Sequence, residues 1–143
     1  MSVIFHSVTE KCLIPHKSLI KNWLKDIISE YNKIVGDINI ILISDREIIE
    51  INKKYLKHDY FTDIITFNFN SDNIISGDLY ISFDRVKENS KKYNTPLNEE
   101  LSRVIIHGIF HLLGFDDKTK EQKNEIRILE RKALDLILPS LIK

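Results

Sequence analysis

The chain has 143 residues, 43% hydrophobic and 29% charged, with 21 basic residues against 21 acidic, a balance that excludes a generic basic coat for nucleic acid. That length buries on the order of 70% of the unfolded chain's surface, and the apolar content is too high for a disordered polymer, so one globular domain over 1–143 is expected. No apolar run approaches the roughly 20 residues that span a bilayer, the start Met1-Ser2-Val3-Ile4-Phe5-His6 has no secretory pattern, and a lone Cys12 excludes a disulfide framework, so a cytoplasmic protein is expected.

Val3-Ile4-Phe5 is a short apolar stretch that predicts a first strand. Pro15 suits the first turn of a helix in which Leu19, Ile20, Trp23, Leu24, Ile27 and Ile28 recur at three-to-four spacing, with Trp23 read as core. Gly36-Asp37 ends that unit, and the β-branched run 38–43 predicts a strand. Ser44-Asp45-Arg46-Glu47 has the capping-box form and predicts a helix over 45–55. A polar segment, 57–63, leads into strands over 64–69 and 78–83, an expected antiparallel pair around the turn residues Ser71-Asp72-Asn73. Residues 84–93 predict a polar helix. Thr95 and Pro96 supply a cap and a first position for the next helix, whose stripe is Leu97, Leu101, Val104, Ile105, Ile109 and Leu112 and whose end is Gly114. Thr119-Lys120-Glu121-Gln122 is a second capping box, opening a helix that Pro139 closes. The order β-α-β-α-β-β-α-α-α predicts an α+β domain, a small mixed sheet packed against helices, over a doubly wound one.

Chemistry concentrates in His107-Gly108-Ile109-Phe110-His111-Leu112-Leu113-Gly114-Phe115-Asp116-Asp117. Histidines at i and i+4 lie one turn apart on one helix face, where both imidazoles can meet one cation. Gly114 can take a left-handed conformation and turn the chain back, bringing Asp117, or its competitor Asp116, to the same cation. Two imidazoles and a carboxylate suit Zn²⁺ with an open fourth position, where bound water is acidified to a pKa of about 7. The spacing is also that of the zinc-protease motif H-E-x-x-H-x-x-G-x-x-H, but Gly108 stands where such a peptidase has its Glu base. The segment resembles a zinc-hydrolase helix, zincin-like, without the peptide-cleaving base.

This stretch resembles the signature H-G-x-x-H-L-x-G-Y-D-H of the YbeY family of bacterial metal-dependent endoribonucleases. Thr62-Asp63-Ile64-Ile65-Thr66-Phe67 is similar to that family's T-D-V-L-S-F strand, and Gly77-Asp78-Leu79-Tyr80-Ile81-Ser82 to its G-D-I-x-I-S strand. The blocks occur in the family's order with comparable gaps, so the likeness covers nearly the whole chain. The resemblance implies one Zn²⁺ held by His107, His111 and the residue at position 117, in an α+β fold related to zinc proteases. It also implies cleavage of single-stranded RNA, maturation of the 3′ end of small-subunit (16S) rRNA, and ribosome quality control. Its partners would be rRNA, the ribosome or small subunit and its assembly factors, with no membrane and no DNA. Two positions depart from the family pattern. Position 117 is usually His and here is Asp117, an anionic ligand that would leave the metal less electrophilic. Leu56 follows Tyr55 where the family commonly carries an Arg.

Lys57 and His58 stand beside Leu56 and are candidates to replace that Arg at the substrate; Tyr60 and Phe61 are candidates to stack on unpaired bases. Asp63 and Thr66 flank the strand expected to line the cleft and are substrate-binding candidates, although a carboxylate so placed also serves as a loop anchor. Asp116, if it is not behind a metal ligand, and the metal-bound hydroxide itself are the candidates to take a proton from the attacking water. The leading reading is a zinc-dependent single-strand endoribonuclease. A ribosome-biogenesis binding factor without catalysis is kept open by Leu56, and a zinc peptidase is opposed by Gly108. The net charge of zero is itself a cancellation. Residues 1–58 carry 9 basic and 7 acidic side chains, residues 59–83 none and 4, and residues 84–143 carry 12 and 10. The net acidity is concentrated in the segment that holds the two motif strands, leaving affinity for RNA to local Lys clusters or to the ribosome.

Overall fold

Alternating apolar residues and turn chemistry give four strands in the computed structural model, which describes residues 2–7, 16–56 (only the backbone at 56) and 62–141. They are β1 (Val3–Ser7), β2 (Ile34–Ile43), β3 (Ile64–Asn68) and β4 (Ile74–Ser82). The sheet order is β1-β2-β4-β3, with β1, β2 and β4 mutually parallel and β3 antiparallel to β4, as expected for that pair. The helices are α1 (Lys17–Glu30), α2 (Asp45–Ile51), α3 (Phe83–Lys92), α4 (Leu97–Leu112) and α5 (Lys120–Leu141). The architecture is α+β, and among the described residues no helix is long and apolar enough to cross a membrane.

The two-residue period of the strands sends Ile38, Ile40 and Leu42 of β2 and Leu79 and Ile81 of β4 to one face, all fully buried. Against that face pack the stripes of α1, α4 and α5 in one continuous core. Each fully buried Ile or Leu there contributes on the order of 1.5–3 kcal/mol. Trp23 of α1 belongs to this core, its Nε1 donating to the carbonyl of Ala133 in α5 at 2.9 Å. The other face carries a smaller cluster, Ile43, Ile65 and Ile48 of α2.

Helix α4 lies between sheet and helices and is buried on most of its circumference. Gly108 makes this approach possible. A Cβ there would stand 2.7 Å from Ile64 Cδ1 and 3.0 Å from Leu79 Cδ2, closer than carbon atoms pack.

Local signals hold at most helix ends. Glu47 N–H donates to Ser44 Oγ at 3.2 Å and Ser44 N–H to Glu47 Oε1 at 3.2 Å, a full capping box on α2. Gln122 N–H donates to Thr119 Oγ1 at 3.1 Å and Thr119 N–H to Gln122 Oε1 at 3.0 Å, the same device on α5. Tertiary pairing overrides other signals. β2 begins at Ile34 and runs through Gly36-Asp37, with a register shift between Val35 and Ile38, because β4 supplies backbone partners at Ile74 and Ile75. The helix expected over 45–55 becomes π-helical at Asn52–Leu56, and Asn52 is buried. Pro96 is the cap residue of α4 rather than its first helical position, and Leu97 is exposed, so the stripe starts at Leu101. Pro139 sits inside α5, which continues to the buried Leu141; so near the end, a proline removes only one helical hydrogen bond. Pro15, Lys57, His58, Tyr60 and Phe61 lie outside the described residues.

Candidate metal centre

Helix α4 presents His107 and His111 one turn apart and then stops in a Schellman turn. Gly114 has φ +104°, a conformation that costs a glycine little. Its N–H donates to the carbonyl of His111 at 3.0 Å, and Phe115 N–H donates to that of Phe110 at 2.9 Å. The rings of Phe110 and Phe115 pack edge to face at 5.7 Å, the apolar contact that accompanies such a turn. The reversal returns Asp117 to the histidines.

Among the described residues, these three form a group able to hold a metal ion, with one donor atom from each within 4.8 Å of the others. His107 Nε2 lies 3.0 Å from His111 Nε2 and 3.3 Å from Asp117 Oδ2, and His111 Nε2 lies 3.6 Å from that oxygen. Zinc–ligand bonds of about 2.0–2.1 Å at tetrahedral angles separate donors by about 3.3–3.4 Å. The three separations bracket that value, so the donor set fits one face of a tetrahedron and leaves the opposite vertex open. Asp116 is exposed and lies outside this group and the cleft beside it.

Behind the cluster runs a chain of charge that sequence reasoning missed. Glu130 of α5, 4% exposed, places Oε2 2.6 Å from His107 Nδ1. With Nδ1–H donating to Glu130 Oε2, the Nε2 lone pair faces the cluster, as in the carboxylate–histidine pairs behind metal ligands. The other Glu130 oxygen accepts from Arg103 Nη1 at 3.3 Å. Arg103 donates through Nε and Nη2 to both oxygens of buried Glu100, at 2.9 and 2.8 Å, and its Nη2 stands 3.5 Å from Asp63 Oδ2. The hydrogen bond to Glu100 leads in raising the Arg103 pKa, against burial and with the charges of Glu100, Glu130 and Asp63, so the guanidinium stays charged. Burial alone would lower the His107 pKa; the Glu130 hydrogen bond and the charges of Glu130, Asp117 and Asp63 outweigh it and the net shift is upward. One signal for these residues existed in the sequence. Glu100 and Glu130 each occupy an apolar phase of a helix, beside Leu101 and Val104 and beside Ile126, Ala133 and Leu134.

The cluster opens into a cleft of about 480 Å³, walled by Thr62, Asp63, Thr66 and Asn52 opposite His107 and His111 and edged by Lys118. Asp63 and Thr66, both half-buried, therefore stand at the site, and Asp63 is at the same time an anchor for Arg103. Gly108 faces Ile64 and Leu79, so a glutamate base there would crowd the ends of both side chains from its first carbon onward.

Residues 6–137 match the profile of the family described as Endoribonuclease YbeY. The chain is 46% identical over 137 residues to an Endoribonuclease YbeY of Azobacteroides pseudotrichonymphae genomovar. CFP2, covering 96% of this chain and 99% of that protein. It is 49% identical over 112 residues to an Endoribonuclease YbeY of Bacteroides fragilis, covering 78% and 81%. The fold is similar to the solution structure of TM1509 from Thermotoga maritima, with a TM-score of 0.68 and 26% identity over 97% of this chain and 91% of that one.

Proposed function

Since the chain belongs to the YbeY endoribonuclease family, we propose that it is a zinc-dependent, single-strand-specific endoribonuclease. We place its action in the cytoplasm, in 3′-end maturation of 16S rRNA and ribosome quality control, with the small subunit and its assembly factors as partners. The observation that carries the catalytic part is the convergence of His107, His111 and Asp117 at the mouth of a polar cleft.

His107, His111 and Asp117 would hold the metal. A zinc there supplies Lewis acidity, acidifying water and offsetting charge that develops on a phosphate. The remaining work belongs to the chain. Glu130 keeps the His107 Nε2 lone pair toward the cluster, and Arg103 keeps Glu130 from rotating. Asp117 contributes one negative charge, so its sum with a dication is +1 and the site attracts a phosphate. Lys118 at the cleft edge adds a cation, and Thr66 and Asp63 give the opposite wall polar groups for ribose or base. Lys57 and His58 remain our candidates for a further phosphate contact. Asp116, exposed and outside the cleft, is given no part in proton transfer. The packing of Gly108 argues against the peptidase reading.

The test is cleavage of unstructured RNA by nuclease-free protein, with and without chelator, beside His111→Ala. Cleavage should stop on chelation and return with zinc, and His111→Ala should neither retain zinc by elemental analysis nor cut. Undiminished cleavage by chelated protein would overturn the metal mechanism. Ribosome association without any turnover would put the binding-factor reading in its place.

A further inference from the structure

The metal cleft does not end at His107. A hollow of about 210 Å³ is bounded by His107 and Asp117 together with Lys123 and Arg127 of α5. It shares Arg103, Arg127 and Glu130 with a larger hollow of about 590 Å³, which reaches Arg131, Tyr93 and Glu99. Through these shared residues the three hollows adjoin one another, as a groove that starts at the metal ligands and follows α5.

Four carboxylates line this extension beyond Asp117, and three of them, Asp63, Glu100 and Glu130, are bound to Arg103. Only Glu99 is left to set against the cations of α5. Lys123, Arg127 and Arg131 fall at i, i+4 and i+8, so they share one helix face at intervals of about 6 Å. Lys123 and Arg127 form no ion pair among the described residues. Arg131 meets Asp135 at 3.3 Å with both side chains more than half exposed, a contact too solvated to hold the guanidinium. At the larger hollow Tyr93 is 59% exposed, an aromatic ring with Lys92 Nζ 5.4 Å from its centroid.

A row of three cations, two of them without an ion pair and the third in a solvated one, beside an exposed ring matches single-stranded nucleic acid, whose phosphates repeat along one edge while its bases stack. Resting on the nuclease reading above, we propose that the groove along α5 carries the RNA strand on one side of the scissile phosphate. Lys123, Arg127 and Arg131 meet successive phosphates and Tyr93 stacks on a base. A chain of zero net charge thereby concentrates cations where one strand must lie, and the metal centre receives a phosphate already held in register.

The experiment titrates metal-free protein, which cannot cut, with a fluorescently labelled unstructured oligoribonucleotide at several salt concentrations. Each phosphate contact to a single strand contributes about 0.7 to the slope of log affinity against log salt. Lys123→Ala and Arg127→Ala should each lower that slope by about 0.7, and the pair by about 1.4. Tyr93→Ala should weaken binding about fivefold or more and leave the slope unchanged. Lys25→Ala, on the exposed face of α1 and outside the groove, should alter neither, and unchanged melting of each variant shows that the fold is kept. A Lys123→Ala/Arg127→Ala protein with the wild-type slope and affinity overturns the groove, and if the wild type still cleaves RNA the nuclease reading stands without it. A wild-type protein that neither binds nor cleaves RNA overturns both.

Discussion

Replacing Glu130 by glutamine removes one charge and almost no volume. Its carboxylate is buried, with Oε2 2.6 Å from His107 Nδ1 and Oε1 3.3 Å from Arg103 Nη1. Arg103 is not stranded by the change, since it keeps both hydrogen bonds to Glu100, at 2.9 and 2.8 Å, and Asp63 at 3.5 Å. The stability lost by the metal-free protein is therefore about 1–2 kcal/mol, below the roughly 3–5 kcal/mol that follows when a buried charge loses its partner. The metal pays more. An amide accepts the Nδ1 proton less strongly than a carboxylate and leaves Nε2 a weaker base, and loss of such a partner lowers metal affinity about 10- to 100-fold, or about 1.4–2.8 kcal/mol. Competition against a chromophoric chelator reads the affinity, and urea unfolding of metal-free protein reads the stability. The visible spectrum of the cobalt-substituted protein shows whether the ligand geometry has changed. A Glu130→Gln protein that folds normally and binds zinc within about twofold of wild type would refute the reasoning.

Gly108→Ala sets two terms of opposite sign against each other. Alanine gains up to about 1 kcal/mol of helix propensity, but its Cβ overlaps Ile64 Cδ1 and both Leu79 methyls, an overpacking that costs about 1–3 kcal/mol. A net loss of about 0–2 kcal/mol by urea unfolding is expected, and Gly108→Glu should be less stable still while gaining no peptidase activity. Thr119→Ala removes the hydroxyl that accepts from Gln122 N–H at 3.1 Å and should cost about 1 kcal/mol of unfolding free energy. Its metal affinity should stay unchanged, because the cap lies outside the ligand cluster.

What the amino-acid order determined alone is local. The two capping boxes, the period of α1 and the Gly114 stop each involve residues within a few positions of one another, where backbone geometry leaves little choice. The same locality places His107 and His111 on one helix face and puts an aspartate within reach of them. The sequence already favoured Asp117 over Asp116, and the Schellman turn gives the reason, since adjacent residues leave a turn in different directions and Asp117 is the one that returns to the histidines. Long-range pairing extended β2 through a Gly-Asp that reads as a turn, because backbone partners on β4 outweigh local preference. The Glu130 contact to His107 spans 23 residues and two helices, and Arg103 joins it to Asp63 from a third element. In the sequence these acids show only as charges on apolar helix phases. The fold supplies the partners that make burying them favourable, and so turns a pair of histidines with a nearby aspartate into an oriented donor set.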